Sequence, residues 1–246
     1  MKLRGILAPY FAVAIRFIFL LVIYALLRWG FYLLNASFFH YVNNAKLVVM
    51  FGGGLRFDIV ALLYLNILYI VIQTVPGPFI ANPTYQRISK WIFVLVNSLG
   101  IALNLIDYAY YPFTLKRTTG TVLSQFSNES NLFKLAFDFC LDYWYLLLVF
   151  ALFVYGLSKS YRLIQLEKPK SYSWKSFFVQ LPFFLLTAFL FIGGVRGGWA
   201  HSTRPITLSN AGDYVDTPEE MNIVHNTPFS ILKTLKAVSL KPVHYY

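Results

Sequence analysis

Apolar residues in this chain fall into five long blocks separated by short polar stretches. A helix needs about 20 apolar residues to cross the hydrocarbon core of a bilayer. The blocks run roughly from Ala8 to Leu33, Val48 to Val75, Trp91 to Tyr111, Tyr143 to Leu157 and Phe177 to Val195. The second ends before Pro76-Gly77-Pro78 and the third at Pro112; the fourth is short and can extend back to Leu135. The pattern predicts an all-α membrane protein, a bundle of about five transmembrane helices over residues 1–195, followed by an extracytoplasmic juxtamembrane tail over 196–246.

Two polar regions interrupt this plan. Between the third and fourth blocks, Thr114 to Asp142 alternates polar residues with Val122-Leu123, Phe126, Leu132-Phe133 and Leu135-Ala136-Phe137. That spacing fits an amphipathic helix on the membrane surface or a loop packed on the bundle. In the tail, His201 to Glu220 reads as extended or irregular. Thr217-Pro218-Glu219-Glu220 and Asn226-Thr227-Pro228-Phe229 both look like helix starts, a capping side chain followed by Pro in the first turn. Ile231, Leu232, Leu235 and Val238 then form an apolar stripe, which predicts a short amphipathic helix near the membrane surface.

Composition narrows the class. Hydrophobic residues make up 58% of the chain and charged ones 13%, against about 25% charged in soluble domains. Mean hydropathy is +0.58. The formal charge of +11 sits in the short loops, so it marks topology and attracts anionic lipid headgroups rather than nucleic acid. Lys2, Arg4, Arg87, Lys90, Lys159, Arg162, Lys168, Lys170 and Lys175 fall on one side, and only Lys46, Lys116, Arg117 and Lys134 on the other. The bias predicts a cytoplasmic N-terminus and, with five spans, an extracytoplasmic C-terminus in the cell membrane. Trp91, Trp144 and Trp174 fall near span ends, where interfacial aromatics belong. The first block exceeds the roughly 7–15 residues of a signal-peptide core, so it reads as a retained anchor. The single Cys140 excludes an internal disulfide framework. Asn35-Ala36-Ser37 and Asn128-Glu129-Ser130 match the glycosylation sequon, a short pattern that arises easily by chance.

Chemistry concentrates at one end of the second and third blocks. Gly52-Gly53-Gly54-Leu55-Arg56-Phe57-Asp58 opens the second, and charge in a span marks a partner or a function. In the third, Asn97, Gly100, Asn104, Asp107 and Tyr111 recur at spacings of three and four, a stripe that should face another helix; Asn66 and Gln73 give the second a weaker one. Packing the two together brings Arg56, Asp58, Asn104 and Asp107 to the outer rim, beside Lys116 and Arg117. Three roles fit: a structural lock in which Arg56 pairs with the aspartates, a lipid-headgroup site in which Arg56, Lys116 and Arg117 gather a phosphate, or an ion relay. Arg28 is expected to snorkel to the interface beside Trp29, and Arg16 needs a partner that the sequence does not identify. His201, His225 and His244 lack the spacing of a zinc site, and no residue set in the chain forms a catalytic constellation or a metal centre.

Gly54-Leu55-Arg56-Phe57-Asp58 resembles the opening of the second span in the lipoteichoic acid synthase and membrane phosphoglycerol transferase family. Asn104-Leu105-Ile106-Asp107-Tyr108 with Tyr111 and Lys116-Arg117 is similar to that family's third span and outer loop. Arg196-Gly197-Gly198 with Arg204-Pro205-Ile206, and Asn226-Thr227-Pro228-Phe229-Ser230, resemble its exit from the fifth span and the segment before its catalytic domain. The resemblance implies five membrane helices and an external sulfatase-like domain, which uses a threonine nucleophile and a divalent metal, usually manganese, to transfer or hydrolyse phospho- or sulfo-esters. That domain would lie beyond Tyr246, so residues 1–246 are expected to be the membrane-anchor part and inactive alone. A small polytopic transporter or channel subunit using Arg56, Asp58 and Asp107 is the alternative, and a scaffold for partner membrane proteins a third.

Overall fold

The computed structural model describes residues 2–3, 5–40, 42–122, 132–166, 172–200 and 202–235. Phe126, the sequon at Asn128, Lys168, Lys170, His201, Val238 and His244 lie outside them, as do the side chains of Lys2, Phe133, Lys134 and Leu135. Five helices are long and apolar enough to cross a membrane: α1 (Ala8–Leu34), α2 (Asn44–Leu65), α4 (Pro83–Thr114), α6 (Trp144–Leu163) and α7 (Trp174–Arg196). The chain is an all-α, multi-pass membrane bundle. α3 (Ile67–Thr74) continues α2, and α5 (Leu132–Asp142) precedes α6. A two-residue parallel pair, β1 (Lys2–Leu3) with β2 (Gln165–Leu166), ties the N-terminus to the end of α6.

The second block is broken where one continuous span was expected. Asn66 ends α2 and begins α3. Its amide donates to the Leu62 carbonyl at 3.0 Å and exchanges hydrogen bonds with Asn97 at 2.9 and 2.8 Å. A polar group in an apolar surround costs free energy unless it is paired, and this amide pair joins the second span to the third. Pro112 does not end the third span as expected. It removes the hydrogen bond to the Tyr108 carbonyl, but Asn35 Nδ2 supplies a donor there at 3.4 Å, and the helix runs on to Thr114. Leu115, at φ 54°, turns the chain back. α7 stops at Arg196 because Gly197 takes the left-handed conformation, φ 81°.

Large apolar side chains such as Val48, Leu95, Leu152 and Leu185 are exposed around the bundle, the surface a bilayer covers. Trp91, Trp144 and Trp174 are all more than half exposed near helix ends. α5 carries exposed Phe137 and Leu141 and half-buried Phe139.

The tail is more ordered than its sequence suggested. Leu208–Tyr214 forms a 3-10 helix capped by Thr207 and Asn210. Thr217 does not start a long helix; the Glu220 carboxylate turns back to the Asp216 and Thr217 amides at 2.9 and 3.4 Å, and the helix that follows is the four-residue α8 (Met221–Val224). The second start is used. Asn226 accepts from the Phe229 amide at 2.8 Å and caps α9 (Thr227–Thr234). α9 is not a surface helix. Phe229 is completely buried and packs edge-on against Phe57, with ring centroids 4.9 Å apart.

Candidate functional site: a charged socket for the tail

α9 enters between α2 and α4, and α8 packs on α2 and α1. Three bundle helices and the turn after α4 meet the tail there with four buried charges. Arg28 comes from α1, Asp58 from α2, Asp107 from α4 and Arg117 from the turn, each no more than 4% exposed.

Each aspartate has an arginine. Arg28 forks onto Asp58, with Nη2 at 2.6 Å from Oδ1 and Nη1 at 3.2 Å from Oδ2. This bidentate geometry fits a guanidinium and not an ammonium. Arg117 Nη1 lies 3.7 Å from Asp107 Oδ2, and its guanidinium covers the Phe31 ring at 3.4 Å. The Asp107 carboxylate also accepts the Thr118 amide at 3.1 Å and the Thr118 hydroxyl. The left-handed turn at Leu115 makes that return possible.

Arg28 Nη2 also donates to the Gly54 carbonyl at 3.1 Å, and further hydrogen bonds run to the tail. Arg28 Nε donates to the Ile223 carbonyl at 3.2 Å, and Arg117 Nε to the neighbouring Asn222 carbonyl at 2.9 Å. These oxygens belong to the single turn of α8. Asn226 Nδ2 donates to Asp58 Oδ1 at 2.8 Å, and the Thr227 hydroxyl to Asp107 Oδ2 at 2.6 Å. The Thr227 amide reaches Asn104 Oδ1 at 3.3 Å. Two cations therefore meet the carbonyl end of one helix, and two carboxylates the amide end of the next. Both match the sign of the helix dipoles, and the four charges sum to zero. Burial pushes the Arg117 guanidinium down to about 10, with Asp107 drawing it back up, so it stays cationic at neutral pH. His225, between the two tail helices, is pushed down to about 4, first by burial and then by Arg117 and Arg28, against the raising effect of its bond to the Leu208 carbonyl.

Of the residues singled out in the sequence, Asp58, Asn104, Asp107 and Arg117 come together. Arg56 does not join them. Two residues along a helix is about 200° of rotation, so Asp58 faces inward while Arg56 is exposed and donates to the Tyr214 hydroxyl at 2.7 Å. Lys116 is likewise exposed. The role expected of Arg56, that of partner to Asp58, falls to Arg28, which turns inward instead of snorkelling beside Trp29. Gly54 makes room for it: a Cβ there would collide with the Arg28 guanidinium, and one at Gly53 with the Tyr214 ring. At the other end of the bundle Arg16 finds its partners in the Tyr161 and Ile164 carbonyls, at 3.3 and 2.7 Å, and in the Tyr69 hydroxyl at 2.9 Å.

Among the described residues no three of His, Cys, Asp and Glu come together as metal ligands. No family model, no characterised protein and no solved structure matches this chain.

Proposed function

We propose that this chain is the membrane-anchor part of a phosphoglycerol-transferase-like enzyme of the lipoteichoic acid synthase type. Its bundle holds the extramembrane segment in a fixed pose at the outer face. The observation that carries the reading is the neutral Arg28–Asp58–Asp107–Arg117 quartet, each member of which hydrogen-bonds a residue between 222 and 227. A bundle whose only task was to anchor would need no buried socket for its tail. One that presents a catalytic domain to lipid-linked substrate gains from a rigid exit, because reaction needs close positioning. The ordered likeness of residues 54–58, 104–117, 196–206 and 226–230 to that family supports the same assignment, and the loop charge bias supports a cytoplasmic N-terminus and an external tail. The divalent-metal chemistry would belong to the sulfatase-like domain beyond residue 246.

Two experiments separate the parts of this proposal. Reading the gene past codon 246 addresses the enzyme assignment; a frame without a sulfatase-like domain overturns it. Paired substitution Asn226→Ala and Thr227→Val addresses the socket. Residues 202–235 are expected to become protease-sensitive while the five spans stay folded. Unchanged protection would mean that the quartet does not hold the tail.

A further inference from the structure

A second charged feature lies at the opposite end of the bundle. The first turns of α4 and the last turn of α6 border a groove of about 600 Å³. Arg87 and Lys90 line it from α4 and Arg162 from α6. Among the described residues none of these three forms an ion pair, and no carboxylate lines the groove. This is the reverse of the tail socket, where each charge has its opposite. Three like charges with no counter-charge among the described residues repel one another, and an anion in their midst relieves that.

The floor of the groove is already satisfied. Tyr161 donates to Gln86 Oε1 at 3.0 Å, and Gln86 Nε2 donates to the Ile80 carbonyl at 2.6 Å. Recognition there falls to the cations. The rim carries Trp91, 61% exposed, and Leu95 and Leu99 continue from it along α4 at 62% and 57% exposure. Spacings of four keep the three on one face. A basic groove thus borders an exposed apolar track that runs along a membrane-length helix.

We propose that this groove binds the phosphodiester headgroup of an anionic glycerophospholipid, with an acyl chain lying along Trp91, Leu95 and Leu99. Basic pockets between membrane helices are suited to such headgroups. The site is independent of the enzyme assignment, since it shares no residue with the tail socket.

The test is lipid retention by the purified chain in nanodiscs of phosphatidylcholine doped with phosphatidylglycerol, read by native mass spectrometry. Wild-type protein is expected to retain phosphatidylglycerol over phosphatidylcholine by more than about tenfold. Each of Arg87→Gln, Lys90→Gln and Arg162→Gln should lower that preference about fivefold, the effect of one cation near an anionic surface. Lys116→Gln, at the other end, should leave it unchanged. Equal retention of the two lipids by wild type, or an undiminished preference when all three cations are replaced, overturns the proposal. Inorganic phosphate is an anion of the same chemistry without chains; if it displaces phosphatidylglycerol at comparable concentration, the site is one for free phosphate and the lipid assignment fails. Should the triple variant not fold, wild type decides alone: the preference must fall as salt rises, and a flat response overturns it.

Discussion

Arg56 and Asp58 stand two residues apart and are opposite in consequence. Asp58 is 2% exposed and holds Arg28 and Asn226. Removing one member of a buried ion pair strands the other, at about 3–5 kcal/mol. Asp58→Asn should therefore lower thermal stability in detergent sharply, whereas Arg56→Gln, which breaks an exposed contact to Tyr214, should cost under about 1 kcal/mol. Equal effects would show that the Arg28 pair is not the one that matters. The glycines offer a second comparison. Gly52 faces open space, so Gly52→Ala should be neutral or stabilise by up to about 1 kcal/mol through helix propensity. Gly54→Ala must displace the Arg28 guanidinium and should destabilise by about 1–3 kcal/mol; similar melting of the two variants would argue against the close approach. Sequence alone marks Asp58 and Asp107 as buried charges, because each lies in an apolar block. It does not choose between Arg28 and Arg56 as partner. Arg28 sits near a span end beside Trp29, where snorkelling is equally good physics, and the inward rotamer is favoured by the Asp58 fork together with the Gly54 and Ile223 carbonyls.

At the scale of elements, the tail helices depend on protonation. His225 sits against Phe57 and Phe229, with ring centroids 5.3 and 6.2 Å away. Its pKa falls from 6.5 to about 4 on docking. A base with a depressed folded pKa is bound neutral, so docking is at full strength above pH 6.5 and weakens as pH falls toward 4. At about pH 5 the loss should approach 2 kcal/mol. Protease cleavage within residues 202–235 should accelerate between neutral pH and about pH 5 in wild type, and His225→Phe should flatten that dependence. A rate independent of pH in wild type would mean that His225 is not excluded from water. The five spans are legible as apolar blocks and Asn226-Thr227-Pro228 as a helix start, whereas the break at Asn66 and the 3-10 helix at Leu208–Tyr214 are not. Helix destination is not legible either. The stripe Ile231, Leu232 and Leu235 is as compatible with a bilayer surface as with a cleft between α2 and α4. What decides is that Asn226 and Thr227 carry the donors two buried carboxylates need, a pairing across 168 and 120 residues that no local pattern encodes.

For the whole molecule, the two ends differ in how charge is handled. Where the tail docks, the buried charges cancel and Lys46 pairs with Asp216. At the N-terminal end, Arg87, Lys90 and Arg162 have no counter-charge among the described residues. The charge bias favours keeping the cation-bearing end in the cytoplasm, because each Lys or Arg moved across works against the membrane potential and leaves the anionic surface. A neutralised end crosses readily. Orientation follows as a measurable consequence. Ser209 is exposed on the 3-10 helix of the tail, and Cys140 is the one native cysteine and is also exposed. In a Cys140→Ala, Ser209→Cys double variant, a membrane-impermeant maleimide added to intact cells should label the protein to near completion. Prior blocking from outside should abolish labelling after lysis. Labelling only after lysis would put the tail and its socket on the cytoplasmic side. The basic groove would then face outward, and the charge bias of the loops would have been overridden by the five spans themselves.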